Sequence, residues 1–338
     1  MPKLTLTREN FVGPWAGLPV AWTGDNRFDE DTYRQDVAKC CRAGVPGVYT
    51  GGTTGEFYAQ EFDEFKAVTR AAVETCRPLG TPVMIGCTST YTLGAARRAA
   101  YAAETGANAI QVAMPFWMPI PCDQIVPFYK EVAAAAPGLA LSVYETQRAK
   151  VALTLDQHRA IQEAVPDYLM VKSNEGTVGV EEDGCRALSQ RVNVFVGENL
   201  FGKLGRCGMR GCCSSLIYWA PKFMLGLWRQ TQAGAPKRDT GVPKAGVSAL
   251  GAPRLGTPAN WAAVDAGCAK IERLFGFLFE TWGPRHFTDS AYDRLGGIGG
   301  GFLRSSLRCR GPYPGPTPKD VETYRNWCRE HFPEMLEG

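Results

Sequence analysis

The chain has 338 residues, 45% hydrophobic and 21% charged, so it can bury a sizeable core as one large domain or two ordinary ones. A net charge of +3 with no dense lysine or arginine block argues against nucleic acid and anionic membrane as partners. No apolar run approaches the ~18 residues of a membrane helix. No charged-then-apolar leader opens the chain, and the twelve scattered cysteines include no C-x-x-C, a pattern expected of reduced thiols in a cytoplasmic protein.

From about residue 17 to 220, short apolar runs alternate with longer helical stretches. The runs are 18–22, 47–50, 82–85, 109–114, 139–144, 168–171, 193–196 and 211–217. Between them, 61–76 reads as an amphipathic helix with Phe65, Val68, Ala72, Val73 and Cys76 on one face, and the alanine-rich 93–105 stops at Gly106. Eight strand–helix beats predict an α/β fold, a closed (β/α)8 TIM barrel. The alternative, an open doubly wound sheet, would favour a Gly-x-Gly-x-x-Gly turn after the first strand, and none is present. The barrel is expected over 1–228, followed by a Pro/Gly-rich loop or insert at 229–260. A C-terminal helical region packed on the barrel is expected over 261–338. There 261–282 carries an apolar face (Val264, Cys268, Ile271, Leu274, Phe275, Leu278), 296–301 reads as a glycine-rich bend and 311–316 as an extended connector. The last helix starts near Thr317-Pro318.

In such a barrel the carboxyl ends of the strands line the active site, and Thr53, Thr54, Tyr144, Lys172 and Glu198 fall there. Lys172 closes the run Tyr168-Leu169-Met170-Val171. Burial there would bring a lysine from ~10.4 toward ~7–8, leaving neutral amine to attack a keto carbonyl. Otherwise its ammonium pairs with Glu175 or Glu198. Tyr144 can donate and accept a proton over the same opening, or fill the barrel as an aromatic. Gly51-Gly52-Thr53-Thr54-Gly55-Glu56 offers amides and two hydroxyls to a carboxylate. It lacks the Gly-Lys-Ser/Thr of a phosphate loop, and Glu56 is expected to favour the following helix start. Of the three histidines only His331 approaches metal-ligand spacing, as Cys328-x-x-His331, and no second pair accompanies it. No metal or other cofactor is expected.

Gly-Thr-Thr-Gly-Glu at 52–56, Met114-Pro115-Phe116-Trp117, the strand-end Tyr144, Val-Lys-Ser-Asn-Glu-Gly at 171–176 and Gly-Cys-Cys-Ser-Ser at 211–215 occur in an order and spacing that resemble the dihydrodipicolinate synthase / N-acetylneuraminate lyase superfamily. The resemblance implies a lysine Schiff-base barrel acting on a 2-oxo acid, usually pyruvate, and a homo-oligomer, tetramer or dimer. It implies Lys172 as the imine-forming lysine, Tyr144 as the acid/base phenol, and Thr53 and Thr54, with Gly52, as the carboxylate site. On the substrate side it offers Arg148, Glu198, Ser214 and Trp117. Trp117 stands where dihydrodipicolinate synthases carry a second tyrosine, Glu145-Thr146-Gln147 replaces Asn-x-Pro, Arg148 is offset by a residue, and Tyr218 replaces an asparagine. Residues 114–117, 127–130 and 309–313 resemble the hydratase-aldolases of aromatic benzylidenepyruvates more closely. Phe57, Trp117, Tyr218 and Trp219 would then line a pocket for a ring, or else pack the barrel and an interface. The expected function is a class I lyase joining or releasing a 2-oxo acid and an aldehyde. A dihydrodipicolinate synthase-like reaction, an aldolase or dehydratase of 2-keto-3-deoxy sugar acids, and a non-catalytic carboxylate-binding barrel are the alternatives.

Overall fold

A computed structural model describes residues 4–232 and 259–336. Eight parallel strands close into a barrel in sequence order: β1 (Gly13–Gly17), β2 (Val48–Thr50), β3 (Val83–Gly86), β4 (Ala109–Val112), β5 (Ala140–Tyr144), β6 (Tyr168–Lys172), β7 (Asn193–Phe195) and β8 (Gly211–Ser214). Helices α1 (Glu30–Arg42), α2 (Phe62–Cys76), α3 (Thr92–Thr105), α4 (Ile125–Ala134), α5 (Leu155–Ala164), α6 (Glu182–Ser189) and α7 (Phe201–Gly205) follow the first seven strands. Helices α8 (Leu216–Trp219) and α9 (Pro221–Gln232) follow β8. The expected (β/α)8 barrel is the observed fold. Beyond it lie α10 (Trp261–Trp282), α11 (Asp289–Gly299) and α12 (Pro318–His331). Most of the expected 229–260 insert, namely 233–258, lies outside the described residues, and 229–232 belong to α9.

The first strand is displaced from expectation. The apolar run 18–22 is a buried loop, and β1 is the preceding Gly-Pro-Trp-Ala-Gly, which pairs with β8 from Gly13 to Ala16 and with β2 at Ala16 and Gly17. A glycine- and proline-bearing strand has low intrinsic β preference, and its pairing on both sides overrides that preference.

The period-two pleat divides the strand residues into two sets. Ala16, Val48, Ile85, Ile110, Leu141, Val171 and Val194 face the helices and form the larger core. Trp15, Tyr49, Met84, Ala109, Ala140, Met170 and Phe195 face inward and, with Leu6 and Phe11, fill the barrel's lower half. Counting up by twos, Met170 leads to Lys172 and Ala140 to Tyr144. Both therefore point into the barrel above its apolar floor, and the register sets Tyr144 directly beside Lys172.

Local signals set the helix ends. Glu61 and Glu64 form a capping box on α2, so the expected helix-start role falls to Glu61 and not to Glu56. Gly106 ends α3 at φ 93°. Thr317 and Asp320 cap α12, with Pro318 in its first turn. The expected glycine bend differs: Gly296, Gly297 and Gly299 are helical, in α11. A Cβ at Gly296 would lie 2.1 Å from the Trp219 ring, so Gly296 and Gly297 let α11 pack flat against α8, while Gly299 makes room for Tyr324 of α12.

Candidate active site

The site is built at the carboxyl ends of β2, β5 and β6. Lys172 Nζ sits 4.2 Å from the centroid of the Tyr144 ring. The buried Tyr144 hydroxyl lies 3.3 Å from Thr53 Oγ1 and accepts from Asn174 Nδ2 at 3.4 Å. Asn174 follows Lys172 within Val-Lys-Ser-Asn-Glu-Gly, a position that sequence reasoning quoted without giving it a role. Of the two carboxylates considered as partners for Lys172, Glu175 is exposed, and Glu198 accepts a hydrogen bond from Ser214 Oγ at 2.6 Å.

Burial opposes the Lys172 charge, while the Tyr144 phenol, the Cys213 thiol and the Asp289 carboxylate favour it. The balance lifts the Lys172 pKa above the ordinary lysine value, which corrects the expected fall toward neutrality. Burial in turn pushes the Cys213 thiol up.

The loop carrying Thr53 is held from below and from the side. Gly51, at φ +77°, passes so close to β3 that a Cβ on Gly86 would lie 2.1 Å from Gly51 O. Gly52 leaves room for the Tyr49 hydroxyl, which a Cβ there would meet at 2.2 Å. Thr54 turns away from the cavity and donates to Asp293 Oδ2 of α11 at 2.6 Å. Burial raises the Asp293 carboxyl to about 8, although Thr54 and Ser215 bond it. Glu56, at φ 52°, is fully buried and ion-paired to the equally buried Arg294 of α11. Its carboxylate also accepts from Trp22 Nε1 at 2.6 Å and from the Arg310 amide at 2.8 Å.

Above Tyr144 opens a cavity of about 230 Å³, lined by Thr53, Phe57, Tyr58, Thr88, Ala113, Phe116, Tyr144, Thr146, Arg148, Ala149, Thr288 and Tyr313. Arg148 Nη2 is held 3.0 Å from Asp289 Oδ1. Of the substrate-side residues read from sequence, Thr53, Tyr144 and Arg148 meet here. Lys172, which lies against the Tyr144 ring, and Gly52, Thr54, Glu198, Ser214 and Trp117 are not on the cavity wall. Trp117 is 74% exposed, and its neighbour Phe116 supplies the wall. Phe57 lines the cavity as anticipated, whereas Tyr218 and Trp219 are buried beneath α11. Sequence reasoning missed Tyr58, Thr288 and Tyr313, because two of these come from the C-terminal region and only folding brings them over the barrel. Among the described residues no group of three or more His, Cys, Asp or Glu is arranged to hold a metal. All twelve cysteines are unpaired, and no described helix is long and apolar enough to cross a membrane.

A parallel eight-stranded barrel with a lysine and a tyrosine paired at its carboxyl mouth defines the class of protein. A model of the dihydrodipicolinate synthetase family matches residues 11–241, more than half of the chain, and the chain belongs to that family. Trans-O-hydroxybenzylidenepyruvate hydratase-aldolase of Pseudomonas putida is 29% identical over 151 residues, 43% of this chain and 45% of the relative. A probable 5-dehydro-4-deoxyglucarate dehydratase of Rhodococcus opacus (strain B4) is 30% identical over 222 residues, 64% of this chain and 71% of the relative. The chain thus spans about half the length of the first of these and somewhat more of the second. Among solved structures, YagE, a prophage protein of the dihydrodipicolinic acid synthase family from E. coli K12 in complex with pyruvate, superposes with a TM-score of 0.77 at 16% identity, covering 95% of this chain and 98% of its own, a likeness of fold.

Proposed function

We propose that the protein is a class I, Schiff-base lyase that captures a 2-oxo acid, pyruvate or a near relative, on Lys172 and makes or breaks the adjacent carbon–carbon bond. The observation that carries this is the strand-end cluster itself: Lys172 Nζ 4.2 Å from the Tyr144 ring, and the Tyr144 hydroxyl 3.3 Å from Thr53 Oγ1. In this role the neutral form of Lys172 attacks the keto carbon, and Tyr144 takes a proton from the nitrogen as it passes its own to the carbonyl oxygen. The carbinolamine loses water to form the imine, with Tyr144 returning the proton to the departing oxygen. The protonated imine withdraws electrons from C3, whose proton leaves to give an enamine, and the enamine carbon adds to an aldehyde. Proton transfer to the new alkoxide and hydrolysis of the imine complete the condensation, and the reverse sequence is retro-aldol cleavage. Thr53 keeps the phenol aimed and, with its loop amide, faces the substrate carboxylate.

An aromatic aldehyde as the second substrate is supported by the cavity wall, where Phe57 and Phe116 meet edge-to-face at 5.9 Å and Tyr58 and Tyr313 at 5.0 Å. The name of the Pseudomonas putida relative points the same way. Incubation with pyruvate, reduction with borohydride and peptide mass mapping test the chemistry: a pyruvyl mass on Lys172 is expected. Its absence from folded protein across a panel of 2-oxo acids overturns the lyase assignment. A second reading, dehydration of a sugar-derived 2-oxo acid, is favoured by the extent of the match to the Rhodococcus opacus relative, and turnover of such an acid without any aromatic aldehyde would select it. Family likeness also supports a homo-oligomer, and the exposed Trp117 and Met118 on the loop after β4 offer an apolar surface for it. Light scattering of the full chain tests this. A cytoplasmic setting, in keeping with twelve thiols, belongs to the same proposal.

A further inference from the structure

A second polar cluster stands behind the strand-end pair, on the outer face of the barrel wall. Tyr144 and Lys172 point inward, so Glu145 and Ser173, which follow them, turn outward. Both are buried, as are His158 of α5 and Tyr168 at the start of β6. His158 Nε2 stands 3.2 Å from Glu145 Oε2, at ion-pair distance but off the direction of an ordinary hydrogen bond. Its Nδ1 lies 2.8 Å from the Tyr168 hydroxyl. Glu145 Oε1 accepts from the Leu153 amide at 3.1 Å, and Oε2 accepts from Ser173 Oγ at 3.4 Å. The Glu145 amide itself donates to Lys172 O at 2.9 Å.

One carboxylate thus joins the end of β5, the end of β6, the helix α5 and the far end of the loop 146–152. That loop carries Thr146, Arg148 and Ala149 of the cavity wall. A buried ion pair adds little net stability over apolar side chains of the same volume, so the fold alone does not call for one here. What the pair supplies is direction: each bond fixes a backbone segment that carries a residue of the site. Neither Glu145 nor His158 lines the cavity, so both act through the backbone.

We infer that Glu145, held in place by His158, is a positioning residue for imine formation on Lys172. It ties the backbone step after Tyr144 to the step after Lys172, and so keeps the phenol ring against the amine. Tyr168 anchors the outer nitrogen of His158, which sets the direction of the imidazole toward the carboxylate. This role rests on the lyase chemistry proposed above. The carboxylate of the 2-oxo acid is assigned to the loop after β2, so loss of Glu145 slows the chemistry and spares pyruvate binding.

The test follows the rate of adduct formation as pyruvate is varied, with borohydride trapping at timed intervals, in the wild type, Glu145→Ala and His158→Gln. A misplacement of about 1 Å costs about a hundredfold, so the maximal rate should fall about tenfold or more in Glu145→Ala and about threefold or more in His158→Gln. The pyruvate concentration at half the maximal rate should stay within about threefold of wild type. Circular dichroism gives the folded fraction, and a chain that is mostly folded loses less than half its rate to instability. A smaller slowing in Glu145→Ala, corrected for that fraction, overturns the positioning role and leaves the lyase in place. So does a rise in the half-saturating concentration with the maximal rate held. If Glu145→Ala does not fold, His158→Gln decides by its own threshold. A wild type that forms no adduct with any 2-oxo acid overturns the lyase and this role with it.

Discussion

Replacing Arg294 with methionine should release the C-terminal region from the loop that carries Thr53. Arg294, itself out of contact with solvent, donates to Val20 O at 2.8 Å, to Ser305 Oγ and Ser306 O at 3.2 Å each, and to the Glu56 carboxylate. Methionine keeps much of the volume and none of the donors. It leaves Glu56 charged and buried, with only the Trp22 indole and the Arg310 amide as partners. Removing one member of a buried pair costs about 3–5 kcal/mol, roughly two to three and a half powers of ten in the unfolding constant. Denaturant titration by tryptophan fluorescence and circular dichroism should show that loss. The double variant Glu56→Gln, Arg294→Met should cost less than the two single variants added together, since the stranded charge is gone. Adduct formation with pyruvate should slow as well, because the left-handed backbone at Glu56 is held by that carboxylate. An Arg294→Met protein within about 1 kcal/mol of wild type, or strict additivity in the double variant, would refute the idea that this pair anchors the loop.

Three further outcomes are expected. Because Lys172 is held above the ordinary lysine value, its neutral fraction at neutral pH is small, and the rate of adduct trapping should climb from about pH 7 to 10 without levelling near 8; a plateau by pH 8 would show a depressed lysine instead. Tyr144→Phe keeps the ring over Lys172 and removes only the hydroxyl, so turnover should fall about 10²–10⁴-fold while the melting temperature holds, and a fall under tenfold would remove the phenol from proton transfer. Asp293, raised to about 8, stays protonated in the fold where the unfolded chain has ionised, so stability declines as pH rises from about 4 to 8. Asp293→Asn should flatten that decline and be relatively more stable at pH 8 than at pH 4 in urea titrations, and an unchanged slope would exclude Asp293 as its source.

Much of the barrel was legible because strands buried on both faces read as unbroken apolar runs. The lysine and tyrosine were legible because each closes such a run, and the pleat then turns both inward. Residues 13–17 escaped because glycine and proline conceal a strand whose order comes from its neighbours on each side. Gly296 to Gly299 read as a bend because a sequence does not show that Trp219, some eighty positions earlier, needs the room. The surroundings of Lys172 were misjudged because burial was weighed only against pairing with Glu175 or Glu198, whereas the Tyr144, Cys213 and Asp289 groups that favour its charge arrive from three other elements. Thr54 and Glu56 were read as ends of a local motif, while their partners Asp293 and Arg294 lie more than two hundred residues downstream.

The placement of α11 has a consequence for how such an enzyme diversifies. Lys172 and Tyr144 stand on neighbouring strands locked by the barrel's own hydrogen bonds, whereas Thr288 and Tyr313 reach the cavity above Tyr144 from a tail wound on afterwards. The strand-end pair and part of the cavity cover thus come from different stretches of the chain. The separation is incomplete, since Asp289, Asp293 and Arg294 of the same tail bear on Lys172 and on the loop that carries Thr53. Changes confined to Thr288 and Tyr313 would vary the cavity wall while leaving those three anchors and the strand-end pair in place.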